Sequence, residues 1–72
     1  MQALIDSMVS WIQDAGGSLS YRDILAKLSD ADKRHLRSAL LEGKKQKKFH
    51  AEITVTPDGV AHLYKLGERP QQ

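Results

Sequence analysis

The chain has 72 residues, no cysteine and a formal net charge of only +2 at pH 7. This length allows one small domain with a compact core, and the lack of cysteine excludes disulfide bonds and thiolate metal sites. No stretch is apolar for long enough to form a signal peptide or a membrane span. We therefore expect an intracellular protein, in the cytoplasm or nucleus, with one domain over residues 1–66 and a flexible tail or linker over residues 67–72.

The first predicted element is a helix over residues 2–15. Its apolar residues recur at spacings of three and four, as in a helix that buries one face. They are Leu4, Ile5, Met8, Val9, Trp11, Ile12 and Ala15. Trp11 lies off the centre of this stripe, so we expect it to cover an edge of the core. Gly16 and Gly17 can adopt the left-handed backbone conformation that ends a helix.

A short strand and a second helix are predicted next. Leu19 lies between two serines and should point inward from the strand. Ser20 and Asp23 form a variant of the capping box, which predicts a helix from Tyr21 to Leu28. The buried face of this helix is formed by Ile24, Leu25 and Leu28. The short capped turn that follows predicts helix-turn-helix geometry.

A third helix, predicted over residues 29–49, carries most of the positive charge. Ser29 and Asp30 are suitable N-cap residues. With about 100° of rotation per residue, one side of this helix is apolar and another is basic. The apolar side holds Leu36, Ala39, Leu40 and Gly43, and the basic side holds Lys33, Arg34, Arg37, Lys44, Lys45 and Lys48. The pattern leaves open whether the helix continues through Gly43 or a basic loop begins there.

The charges are separated along the chain. Residues 33–48 contain seven lysines or arginines against Glu42 alone, a net charge of +6, whereas residues 1–32 carry −3 and residues 49–72 carry −1. A surface of one sign creates a local field that attracts polyanions such as nucleic acid. The alternative is an ordinary solvated surface, because lysine and arginine are common on exposed helix faces.

Residues 49–66 predict a β-hairpin, because apolar and polar residues alternate there. The TPDG segment predicts its turn, with Gly59 at positive φ. We predict that Ile53 pairs with Leu63 and is buried, and that Tyr64 lies on the outer face. The other predicted pairs are Thr56 with Val60, Val55 with Ala61, and Ala51 with Lys65. The outer face is predicted to hold His50, Thr54 and His62 as well.

This order of elements resembles that of the winged-helix superfamily over residues 2–66. The resemblance is carried by three segments, GGSLSYRDILAKL, SDADKRHLRSALLEG and FHAEITVTPDGVAHLYKL, which look like the first strand and second helix, the recognition helix, and the wing. It implies a small α+β domain in the order α-β-α-α-β-β, with three helices, a short strand and a hairpin wing. Many members place the third helix in a DNA major groove, while others bind RNA or proteins.

The resemblance also implies that the exposed side of helix 3 contacts nucleic acid, with duplex DNA favoured over RNA. The candidate residues are Lys33, Arg34, Arg37, Ser38, Leu41, Lys44, Lys45, Lys47 and Lys48. Two features differ from the usual family pattern: the TPDG tip has no cation, and five polar residues separate Gly43 from the strand. The alternative function is a protein interaction module that uses Leu41 together with Trp11, Val60 and Tyr64. Membrane attachment is not expected, because the opposite face of helix 3 is needed for the core.

No catalytic or cofactor site is predicted. The histidines at 35, 50 and 62 have no cysteine or carboxylate at metal-ligand spacing. The serines occur in no catalytic triad context, and the paired glycines are not followed by the lysine of a phosphate-binding loop. We therefore expect neither an enzyme nor a bound cofactor.

Overall fold

The computed structural model describes residues 2–67, which form a small α+β domain. Within that range there are four helices and one three-stranded antiparallel sheet with the strand order β1-β3-β2. The elements are α1 (Gln2–Asp14), β1 (Ser18–Ser20), α2 (Tyr21–Lys27), α3 (Asp30–Lys33), α4 (Leu36–Lys45), β2 (Phe49–Thr56) and β3 (Gly59–Leu66). No helix in the described range is long and apolar enough to cross a membrane.

The core lies between the helices and the base of the sheet. Its buried members are Leu4, Ile5, Met8, Ile12, Leu19, Ile24, Leu28, Leu36, Ala39, Leu40, Phe49 and Tyr64. The three- and four-residue spacing therefore identified the buried face of α1 correctly. Trp11 is half-buried and packs against this core, as its position at the edge of the stripe predicted.

The ends of α1 and the start of α2 follow the local sequence signals. Gly17 donates a backbone hydrogen bond to the Ile12 carbonyl at 2.8 Å, and Gly16 donates to the Gln13 carbonyl at 3.1 Å. Both glycines have positive φ, so the helix ends in a Schellman motif. The Ser20 hydroxyl accepts from the backbone N–H of Asp23 at 3.1 Å, which confirms the predicted N-cap of α2.

The single helix predicted over residues 29–49 is wrong, because two helices occupy this stretch. Ser29 caps α3 as expected, accepting from the backbone N–H of Asp32 at 3.2 Å. However, α3 ends at Lys33, and Arg34 and His35 form a turn before α4. None of the residues of α3 is buried. Packing of an apolar face supplies most of the stability of a helix. The apolar face of α4 packs into the core, whereas α3 has no buried residue that would keep it in line with α4.

The basic stretch after Gly43 is partly helix and partly a tight turn. The helix continues through Gly43 to Lys45. Lys48 then donates to the Gly43 carbonyl and Lys47 donates to the Lys44 carbonyl, each at 3.0 Å. Lys47 has a φ of 61°, so it occupies the left-handed position that glycine usually takes at the end of a helix.

The predicted hairpin register is wrong by one residue. Thr56 pairs with Gly59, Val55 with Val60, and Ile53 with His62. Gly59 does have the predicted positive φ, at 130°, but it lies within the paired strand. Because side chains alternate between the two faces of a strand, a shift of one residue exchanges the faces of β3. Tyr64, predicted on the outer face, is consequently buried.

Ile53 was also predicted to be buried, whereas 67% of it is exposed. Alternation places Phe49, Ile53 and Val55 on one face of β2, but only the base of the hairpin packs against the helices. Phe49 is buried there, and Val55 near the tip is 83% exposed. The predicted tail over residues 67–72 lies outside the described residues except for Gly67, which donates a backbone hydrogen bond to the Lys48 carbonyl at 3.0 Å.

The first prediction concerns the face of α4. Leu40→Ala removes a buried side chain and should lower the free energy of unfolding by about 2 to 5 kcal/mol. Leu41→Ala and Ile53→Ala remove exposed side chains and should each change it by less than about 1 kcal/mol. Denaturant unfolding of the three variants measures these differences. Equal losses for Leu40 and Leu41 would contradict the orientation of α4.

The second prediction concerns Gly43, where an added Cβ would overlap the buried ring of Phe49. Gly43→Ala should therefore destabilise the domain by about 1 to 3 kcal/mol, the usual cost of overpacking, although alanine favours helix formation. In a Phe49→Leu background, the same change should cost less, because the obstructing ring is absent. A Gly43→Ala variant more stable than the wild type would show that the ring moves freely aside.

Candidate nucleic-acid interface

All nine residues predicted as contacts from the sequence are exposed, but they lie on four different segments. Lys33 belongs to α3, and Arg34 lies in the turn between α3 and α4. Arg37, Ser38, Leu41, Lys44 and Lys45 lie on α4, and Lys47 and Lys48 lie in the turn that follows. We call the five cations of α4 and this turn (Arg37, Lys44, Lys45, Lys47 and Lys48) the basic surface.

The exposed side of α4 places two of these cations on one flank. Arg37 and Lys44 are seven residues apart, so about two helical turns bring them to nearly the same direction. Leu41 lies about 50° further around the helix, and Ser38 and Lys45 follow beyond it. A ligand that lies along this flank therefore meets cations at both ends, with an apolar side chain between them.

Glu42, the only acidic residue of α4, lies on the opposite flank. The Gln46 side-chain amide donates to the Glu42 carboxylate at 3.3 Å and to the side-chain carbonyl of Gln2 on α1 at 3.0 Å. This small network directs the acid towards α1. The negative charge is therefore separated from the flank that carries Arg37 and Lys44.

Lys44 extends over an aromatic pair at the sheet. Its Nζ atom lies 5.9 Å from the centre of the Tyr64 ring, a distance suited to a cation–π interaction. The Tyr64 ring lies 6.4 Å from that of Tyr21, at the start of α2, and contacts Phe49 edge to face. Burial raises the pKa of the Tyr64 phenol, and the neighbouring Tyr21 raises it further, so Tyr64 stays neutral at physiological pH.

Lys33 contributes less to this surface than the sequence suggested. The Lys33 ammonium lies 3.9 Å from the Asp30 carboxylate, in an exposed pair of the kind that adds little stability. α3 also contains Asp32, so its two acids oppose its one cation. The break before α4 thus leaves Lys33 outside the continuous helical flank on which the sequence analysis had placed it.

The hairpin adds no lysine or arginine between Phe49 and Tyr64. Its tip presents the exposed acid Asp58 instead. The region of the domain with an unbalanced positive charge is therefore α4 and the turn after it. These thirteen positions, 36–48, carry five cations against Glu42, a net charge of +4.

No protein-family model, curated protein or solved structure matches the chain.

The other face of the hairpin carries a polar network that the sequence analysis missed. Glu52 accepts from Lys65 at 3.3 Å and lies 2.7 Å from Nε2 of His50, whose Nδ1 lies 3.0 Å from the Gly67 carbonyl oxygen. Both ring nitrogens of His50 thus lie within hydrogen-bonding distance of an oxygen atom. The two-residue spacing of His50 and Glu52 could have indicated this contact, but the shifted register moved Lys65 away from its true partner, His50.

No group of three or more histidines, cysteines or carboxylates that could hold a metal occurs among residues 2–67. Hydrogen bonds from His50 and then Lys65 lower the pKa of the Glu52 carboxyl below its usual value of 4.5. The ionised carboxylate therefore favours the folded state. This contribution is present above about pH 4.5 and is lost as the pH falls through the lowered folded pKa.

The third prediction tests this contribution. Glu52→Gln should lower the melting temperature at pH 7, because the neutral amide cannot replace a carboxylate that bonds Lys65 and His50. The difference from the wild type should shrink as the pH falls below 4.5 and through the lowered pKa of the folded wild-type carboxyl. Asp58→Asn, at the hairpin tip, is the matched control. A difference that stays constant from pH 7 to pH 3 would exclude an ionic role for Glu52.

Proposed function

We propose that the chain is a winged-helix domain that binds nucleic acid, with duplex DNA as the favoured target. The succession of helices and strands and the β1-β3-β2 order of the sheet are consistent with that architecture. α4 takes the part of the recognition helix, and the hairpin takes the part of the wing. The short α3 is then an extra turn of helix between the second helix and the recognition helix.

The basic surface is the observation that carries this proposal. Its five cations are all exposed, and the one acid of the segment bonds on the side that faces α1. Lysine and arginine side chains that neutralise phosphates release counterions, which supplies affinity for DNA without regard to sequence. An exposed helix with cations along one flank has the shape and charge to lie in or beside a groove.

Duplex DNA is favoured over duplex RNA for a geometric reason. The major groove of B-form DNA is wide enough to admit a helix, whereas that of A-form RNA is deep and narrow. On DNA, Arg34 or Arg37 could reach a guanine edge, and Leu41 could contact a thymine methyl group. Ser38 offers a further hydrogen bond. Because the hairpin tip brings no cation, we expect weak, mainly phosphate-driven binding, with a dissociation constant of about 1 µM or higher.

The second candidate function is a protein interaction module. The observation that favours it is Leu41, a large apolar side chain on α4 that lies between Arg37 and Lys44 and is 62% exposed. The exposed Val60 and the half-buried Trp11 remain available for such a role. Tyr64 is not available for this role, because its side chain is buried in the core.

The fourth prediction separates the two functions by salt dependence. If about five cations contact phosphates, the logarithm of the DNA binding constant should fall against the logarithm of salt concentration with a slope near −4 to −5. Replacing Lys44, Lys45 or Lys48 singly by glutamine should make the slope shallower by about one unit each. Fluorescence anisotropy of a labelled duplex, titrated at several salt concentrations, provides the measurement.

Lys27→Gln is the matched control, because Lys27 is an exposed lysine on α2 outside the basic surface. It should leave the slope nearly unchanged. Arg37→Ala should instead cost about 1 to 3 kcal/mol on a preferred sequence and little elsewhere if it reads a guanine. Binding that is undetectable at low salt, or that survives the combined loss of Lys44, Lys45 and Lys48, would refute the proposal and leave the protein interaction module.

A further inference from the structure

The outer half of the hairpin presents an apolar strip to solvent. Val55 and Val60, directly paired across the two strands, are 83% and 64% exposed. Ile53, two residues before Val55 and on the same face, is 67% exposed. Three β-branched apolar residues therefore lie side by side where the hairpin extends beyond the helices. We call these three residues the hairpin strip.

The strip borders the outer edge of strand β2 at residues 53–56. In the order β1-β3-β2, strand β2 has no neighbouring strand on its outer side within the described residues. An open edge exposes backbone hydrogen-bonding groups that can pair with another strand, and proteins usually protect such an edge with lysine, proline or a bulge. Residues 53–56, ITVT, contain no charge and no proline. This edge therefore has both the backbone groups and the apolar side chains that strand pairing requires.

The charges near this edge are already balanced within the chain. Glu52, the one carboxylate of β2, bonds His50 and Lys65 of its own hairpin. No lysine or arginine occurs from Phe49 to Tyr64, so this part of the hairpin offers neither of these cations to a phosphate. The edge thus neither attracts a strongly charged partner nor repels a second copy of itself.

We propose that the chain forms a symmetric dimer through antiparallel pairing of its β2 edges. In an antiparallel pair, directly opposed residues lie on the same face of the sheet. A twofold axis at Thr54 sets Val55 opposite Ile53 of the second copy and Glu52 opposite Thr56 of the second copy. Apolar side chains then meet apolar ones on one face, and no like charges are opposed on the other.

The register is constrained by the same alternation. Shifting the second copy by one residue would set Val55 opposite Glu52 and join the apolar face of one copy to the polar face of the other. Registers centred on a residue of β2 avoid this mismatch. Because the interface comprises one short strand and a few side chains from each copy, it falls in the small, weakly bound class. We therefore expect a dissociation constant of about 10 µM to 1 mM.

The fifth prediction tests the dimer in the absence of nucleic acid, so its outcome is independent of the function proposed for α4. Sedimentation equilibrium of the full chain from about 10 µM to 1 mM, a range that spans the expected dissociation constant, should show the mass rising from 8.1 kDa towards twice that value. Val55→Lys introduces the residue that protects natural edges and appears twice in a symmetric interface. It should weaken association by at least about tenfold.

Leu41→Lys is the matched control, since Leu41 is about as exposed as Ile53 but lies on α4. It should leave the association constant unchanged. Circular dichroism should report the wild-type fold for Val55→Lys, and Ile53→Lys provides an independent test if it does not. In the wild type, amides of residues 53–56 should gain hydrogen-exchange protection as concentration rises. A chain that stays monomeric throughout, or a dimer that Leu41→Lys disrupts and the two hairpin variants do not, would overturn the proposal.

Discussion

The contact between Phe49 and Gly43 is the constraint on which the arrangement of α4 and the hairpin depends. The Phe49 ring lies where the Cβ of any larger residue at position 43 would be, so helix and strand approach more closely than side chains usually allow. This contact seats the first residue of β2 under α4 and fixes where the sheet begins. Tyr64 packs edge to face against the same ring and joins β3 to the cluster. The cations of α4 are consequently presented by a helix that packs directly against the sheet.

Much of the fold could be predicted from local signals in the sequence. Ser20, Ser29 and Gly16 form hydrogen bonds with backbone groups only a few residues away. The helix caps and helix ends could therefore be predicted from the local sequence. The periodic spacing of Leu36, Ala39 and Leu40 identified the buried face of α4 for the same reason. The fold class, a small α+β domain with an antiparallel sheet, follows from these elements.

What could not be predicted depends on contacts between distant parts of the chain. The break at Arg34 and His35 depends on how α4 packs against the core. The hairpin register depends on the turn after Thr56, which the sequence allows to close with Thr56 paired either with Gly59, as observed, or with Val60. Alternation assigned Ile53 to the apolar face correctly, but it cannot tell how far along the hairpin the helices reach. The exposure of the cations was predicted from the sequence. The position of Lys44 over the Tyr64 ring was not, because the predicted hairpin register placed Tyr64 on the opposite face of the sheet.

Lys47 combines a conformational cost with a positive charge in the turn after α4. A residue with a side chain in the left-handed conformation carries a penalty of roughly 1 to 2 kcal/mol relative to glycine, and Lys47 adopts that conformation with a φ of 61°. Glycine would relieve the strain and remove one positive charge from the surface. Exchange of this lysine for glycine would therefore lower the conformational cost of the turn and reduce the net charge of positions 36–48 from +4 to +3.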